Sequence, residues 1–266
     1  MKYFDAHSHI QFPMYDEDRA ELVASMHQEE IGSIVVGVDM DSSRKALALA
    51  EKYDNLWASV GLHPNDTPEE KFDRAAFLEL LKHPKAVAIG ECGLDNFRPE
   101  DPESEKARQR DVFTSHVELA IEAGKPLMIH ARPSRGTQDA YRDLIEILGS
   151  YKKEYGEKLW GDIHFFVGGV EEARGLIDLG FTLSYTAVLT FTHDYDDVVR
   201  FAPLGSLLSE TDSPYVAPAP NRGKRNDPRA VKAVVEAIAA IRKEDSETVR
   251  VNILQNIERV FRLSQA

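Results

Sequence analysis

The sequence predicts a (β/α)8 barrel, and three observations lead there. Eight short apolar runs alternate with longer amphipathic stretches along the chain. The alternation occupies nearly all of the 266 residues, close to the ~250 that such a barrel needs. No stretch rich in Pro, Gly or Ser interrupts it as a linker would, so residues 1–266 read as one domain. A doubly wound open sheet uses the same alternation and is the alternative architecture.

The first strand is read at residues 3–10 and is followed by a helix over 17–31 that Gly32 stops. A strand at 33–38 precedes a helix at 42–53, and a strand at 56–61 precedes a helix at 69–81. The fourth strand, 86–90, leads into a long helix over 104–123, stopped by Gly124. The fifth, 126–130, leads into a helix over 136–149. The sixth, 161–166, leads into a helix over 170–179, stopped by Gly180. Strands at 181–184 and 206–209 complete the eight, and helices at 227–242 and 246–262 end the pattern. Several of the runs are rich in Val and Ile, as strands covered on both faces are.

Composition narrows the class. Hydrophobic residues at 42% and charged residues at 29% sit near globular averages and exclude a disordered or fibrous chain. A single cysteine, Cys92, excludes a disulfide framework and fits a reducing, cytoplasmic setting. The opening MKYFDAHSHI has no apolar core of signal-peptide length, and no run nears the ~18 apolar residues of a membrane span. With 32 Lys+Arg against 45 Asp+Glu the net charge is −13, which argues against coating duplex DNA or an anionic membrane. No obligate protein partner is implied.

Function is read from where histidines and carboxylates fall. His7 and His9 lie two apart on the first strand, so both face one way. Glu91 follows the fourth strand, His130 ends the fifth, His164 ends the sixth and Asp212 follows the eighth. In a barrel these strand ends meet at one mouth, where active sites of this fold are built. Four His and two carboxylates suit Zn²⁺, Mn²⁺, Fe²⁺ or Ni²⁺, while Mg²⁺ prefers mostly oxygen. Glu91, from a central strand, can bridge two such ions about 3.5–4 Å apart.

Simpler roles account for the other candidates. His27, His83, His116 and His193 fall on helices or connections and read as structural. Cys92 has no evident His–Asn arrangement to activate it and reads as a packing residue. No phosphate-binding, dinucleotide-binding, serine-hydrolase or His-Glu-x-x-His motif is present.

The same residues carry a resemblance. Asp5-Ala6-His7-Ser8-His9, Gly61-Leu62-His63-Pro64, Gly90-Glu91-Cys92-Gly93-Leu94-Asp95, His130-Ala131-Arg132 and Ser209-Glu210-Thr211-Asp212-Ser213-Pro214-Tyr215 occur in this order. Together they resemble the TatD family of metal-dependent hydrolases, within the amidohydrolase-like barrels. The likeness continues to Gly223-Lys224-Arg225-Asn226-Asp227-Pro228, where the family usually has Asn-Glu-Pro. His164 is followed by Phe165-Phe166, where a Cys-Phe pair is common, and Asn96 replaces a frequent aromatic. The resemblance implies two divalent ions and hydrolysis of phosphodiesters, with DNase activity, often 3′→5′ exonucleolytic, as the best-known assignment. Its expected substrates are DNA strand ends or short oligonucleotides.

On that footing His7, His9, Asp212 and bridging Glu91 would hold one ion, and His130, His164 and Glu91 the second. Asp212 is placed to take a proton from water as general base, and Glu210, two residues earlier, to assist or orient the leaving group. Arg132 would grip phosphate, with His63 and Arg225 as further phosphate contacts. Two alternatives share the site: hydrolysis of a small ester, amide or phosphoester, and a non-catalytic metal-binding scaffold. The first keeps the metals and changes the substrate. The second is disfavoured by the complete ligand set.

Overall fold

The computed structural model describes residues 1–65, 70–97 and 102–263. Eight parallel strands form one sheet in the order β1 to β8: Tyr3–Ser8, Ile31–Val36, Leu56–Val60, Ala86–Asp95, Leu127–Arg132, Gly161–Ile163, Thr182–Tyr185 and Leu207–Ser209. Helices fill the crossovers: α1 (Arg19–Gln28), α2 (Met40–Lys52), α3 (Arg74–Leu80), α4 (Pro102–Ala123), α5 (Asp139–Tyr155), α6 (Val170–Asp178) and α7 (Asp196–Phe201). After β8 come α8 (Val231–Arg242) and α9 (Ser246–Phe261). The strands are short and almost wholly buried, since the helices cover the outside and side chains fill the inside.

The ring is closed between β8 and β1 largely by side chains. Asp5, fully buried, accepts hydrogen bonds from Thr211 N (2.8 Å) and Thr211 Oγ1 (2.6 Å). Ser209 Oγ donates to Phe4 O (3.2 Å), Asp212 N donates to His7 O (3.0 Å), and His9 N donates to Ser213 O (2.7 Å). The polar stitching clamps the ends of β1 and β8 together, which fixes Asp212 beside the two histidines of the first strand.

Several boundaries differ from the sequence expectation for local reasons. Ile31 opens β2 instead of ending a helix, because Glu30 has positive φ and breaks the helix after α1. The fourth strand runs on to Asp95, so Glu91 lies within it. Gly90 and Gly93 allow this. Both have positive φ, and a Cβ at either would strike the β5 backbone, at Met128 O and His130 O respectively. His9 lies just past β1 and His164 just past β6. Helix α7 escapes sequence reading because six residues are too short to display a helical period. The start of the helix expected at 69–81 lies partly outside the described residues.

His116 is structural, as expected, and it supports the segment that carries His63. Its Nε2 accepts from Leu62 N (3.1 Å) and its Nδ1 donates to Val112 O (2.8 Å), tying α4 to the end of β3. Burial lowers its pKa to about 4. A folded pKa below the unfolded ~6.5 means the unfolded chain binds the proton more readily. The stability this group supplies is therefore complete above pH 6.5 and is lost as pH falls to about 4. Its full size is about 3 kcal/mol. Urea unfolding midpoints should fall across this window, and less so in His116→Gln.

Candidate metal centre

The parallel sheet brings all six expected ligands to the C-terminal mouth. His9, Glu91, His130, His164 and Asp212 line a cavity of about 500 Å³ together with His63, Asp95 and Arg132. His7 is fully buried against this group, its ring stacked on His164 at 3.6 Å between centroids.

Two sets of donor atoms share Glu91. In the first, His7 Nε2 lies 3.1 Å from His9 Nε2, 3.4 Å from Glu91 Oε2 and 3.8 Å from Asp212 Oδ1. His9 Nε2 lies 3.7 Å from Glu91 Oε2 and 3.5 Å from Asp212 Oδ1. A tetrahedron with 2.0–2.1 Å bonds has edges of ~3.3 Å, so this set has the size to hold one ion. In the second, Glu91 Oε1 lies 3.0 Å from His130 Nδ1 and 3.4 Å from His164 Nε2. His63 Nε2 approaches the same oxygen at 3.6 Å. The donors fit a pair of divalent ions bridged by one carboxylate.

The electrostatics agree with that fit. Burial alone would raise the pKa of Glu91, yet the histidines around it, His164 and His130 among them, hold it well below the carboxylate range. Asp212 is also held low, against burial, chiefly by His9. Burial would lower the His130 pKa, but Asp95 and Glu91 push it up to about 9. Burial opposes a charge on His164 likewise, while Glu210 and Glu91 raise its pKa to about 10. Ionised Glu91 and Asp212 thus face His130 and His164, which hold a proton more tightly than a free imidazole, while burial lowers the pKa of His7 and His63.

Behind the ligands stands a supporting layer. His9 Nδ1 bonds Val36 O (2.9 Å), His164 Nδ1 bonds Glu210 Oε1 (3.0 Å), and His130 Nε2 faces Asp95 Oδ2 at 3.4 Å. Such partners set which ring nitrogen is left to bind metal. Glu210 therefore does not stand where the sequence expectation put it. It is fully buried, accepting also from Phe165 N (2.7 Å) and Ser184 Oγ (2.6 Å), and it does not line the cavity. It hydrogen-bonds His164 and is walled off from the cavity. Replacing it by Ala should raise the metal concentration needed for half-maximal activity by about 10–100-fold, measured by metal titration of activity.

Arg225 is likewise not brought to the cavity. Its guanidinium pairs with Asp18 and donates to Met14 O (2.7 Å). Arg132, at the end of β5, does line the cavity, stacked over Phe97 at 4.1 Å. Among the described residues it has no ion pair. Asp95 was missing from the candidate set although its signal was present: Glu91, Gly93 and Asp95 alternate on one strand and so share a face. The role of Ser184 beneath Glu210 had no local signal. Cys92 is fully buried and burial pushes its thiol pKa up, as a packing residue requires.

Barrel and site together fit a metal-dependent hydrolase with its candidate metal ligands at the strand ends. The comparisons with known proteins name the family. Residues 4–262 match the family described as TatD related DNase. YabD of Bacillus subtilis, named an uncharacterised metal-dependent hydrolase, is 36% identical over 98% of this chain and 99% of its own length. The uncharacterised metal-dependent hydrolase TatD of Mycobacterium tuberculosis is 32% identical over 97% of each chain. The crystal structure of YjjV, a TatD homologue from Escherichia coli, superposes with a TM-score of 0.89 at 26% identity, covering 99% of both chains. The chain belongs to the TatD family of metal-dependent hydrolases. No helix among the described residues is long and apolar enough to cross a membrane.

Proposed function

We propose that the chain is a two-ion phosphodiesterase that removes nucleotides from the end of single-stranded DNA. One observation carries this reading: Glu91 turns one oxygen to His7 and His9 and the other to His130 and His164, with Arg132 at the same cavity. Two divalent ions bound there would polarise a phosphoryl oxygen and lower the pKa of water. Zn²⁺, Mn²⁺, Fe²⁺ or Ni²⁺ suit the nitrogen-rich donors, and Mg²⁺ is the oxygen-preferring alternative. The 3′→5′ direction and the cytoplasmic setting come from the family resemblance and the cysteine usage.

The chain's own groups divide the remaining work. Asp212, ionised and partly open to the cavity, accepts the proton of the attacking water. His63 donates a hydrogen bond to a substrate oxygen. Asn65 N–H bonds its Nδ1 (3.2 Å), which leaves the ring proton on Nε2. Burial lowers its pKa to about 3, so it stays a neutral donor. Arg132 takes a phosphate oxygen pair in a forked contact.

Arg132→Ala should raise KM by about 10-fold or more with a smaller change in kcat, since a hydrogen bond to a charged group contributes ~1.5–3 kcal/mol. The reading is tested with labelled single-stranded DNA and a panel of phosphomonoesters, carboxylic esters and lactones, across several divalent metals. Shortening of the DNA that EDTA stops is the expected result. Intact DNA together with ester or lactone hydrolysis would replace the reading with the small-substrate one.

A further inference from the structure

We propose that the rim of the mouth is a stacking track for unpaired nucleobases, with Phe97–Arg132 and Tyr215 as its two platforms. This rests on the phosphodiesterase reading and deepens it, naming a single strand with splayed end bases as the substrate class. Four large hydrophobic side chains are exposed among the described residues: Met1, Met14, Phe97 and Tyr215. Apart from Met1, they follow the C-terminal ends of β1, β4 and β8, so they gather on the mouth. Phe97 is 48% exposed and Tyr215 51%, so about half of each side chain is open to solvent.

Guanidinium groups pair with rings of the mouth. Arg132 lies over Phe97 at 4.1 Å and Arg222 over Phe191 at 4.1 Å. All four residues lie at strand ends or on loops of the mouth. The strand order places β4 and β5 across the ring from β8 and β1, so the two platforms stand on opposite sides of the metal-ligand cluster. Between them the cavity wall includes apolar Phe165, Val167, Val188 and Val216.

Alternating rings and cations match a single strand, which presents bases and phosphates in turn. They do not match a duplex, whose bases are stacked away and whose grip needs many more phosphate contacts than a chain of net charge −13 offers. Asp95 couples the platform to the site. Its Oδ1 accepts from Phe97 N (2.9 Å) while its Oδ2 faces His130. A base stacked on the Phe97 side is thereby held in register with the ligands that frame the scissile phosphate.

The test uses metal-loaded protein and two internally labelled oligonucleotides of equal length and charge. One carries normal bases, and the other has abasic tetrahydrofuran units at the last two positions of both ends. KM is read from cleavage, and Kd from fluorescence anisotropy on phosphorothioate versions that resist cleavage. The abasic strand should show KM and Kd raised about 5- to 150-fold, the range for stacking one base on an aromatic ring. Tyr215→Phe should keep that discrimination, whereas Tyr215→Ala and Phe97→Ala should each reduce it toward one. Equal KM and Kd for the two strands, or discrimination that survives both alanine variants, overturns the track. Discriminating binding with no cleavage by any metal supports the track and rejects the nuclease reading. Cleavage without discrimination does the reverse.

Discussion

Glu91→Gln is expected to lose both bound metal and hydrolysis, with turnover falling by about 10³-fold or more. Both carboxylate oxygens are engaged, Oε2 toward His7 at 3.4 Å and Oε1 toward His130 at 3.0 Å. An amide replaces one anionic oxygen by an NH₂ group, which cannot ligate a cation and repels it. The charge stabilisation supplied by the ions, several kcal/mol, goes with them, and each 1.36 kcal/mol is tenfold in rate. Metal analysis of the purified variant separates this from a folding defect. Circular dichroism should stay native while bound metal falls. Native metal content and native turnover would remove Glu91 from the centre.

Asp212→Asn is expected to lower kcat by about 10²–10⁴-fold, the usual contribution of a positioned base, with KM changing far less. Asp212 stands at a backbone φ of 53°, a left-handed conformation that Asp and Asn adopt more readily than most residues. Asn therefore preserves the turn while removing the proton acceptor and weakening the donor set shared with His7 and His9, so bound metal is measured beside kcat. Activity within tenfold of native would place the base elsewhere.

The residues differ in how far sequence could reveal them, and the reason is physical. Ligands on strands obey a two-residue period and a fold-wide rule about strand ends, so His7, His9, Glu91, His130, His164 and Asp212 were legible as a convergent set. Glu210 was assigned by the same alternation, which shows a face but not what lies opposite. Only the packing of β6, β7 and β8 shows its carboxylate between His164 and Ser184. Arg225 sits in a run whose basic character suggested phosphate, yet Asp18, distant in sequence, neutralises it. Asp95 was visible in principle, and the extension of β4 past Glu91 hid it. The barrel itself was the easiest inference, while the strand limits depended on backbone devices such as Gly90 and Gly93 that no periodicity displays.

The negative charge acquires a local meaning beside these residues. Glu91, Asp95 and Asp212 all line one cavity, where bound cations can reverse the field. The acidity excludes a protein that coats nucleic acid and is compatible with one that holds a strand end at a single metal-centred site.

The most direct test of the two-ion site is a titration of metal-free protein with one divalent metal, following bound ions per chain and DNA cleavage together. Cleavage should stay near zero through the first equivalent, rise with the second, and vanish when a chelator removes the ions. Full activity with one ion per chain, or in the presence of chelator, would contradict the account.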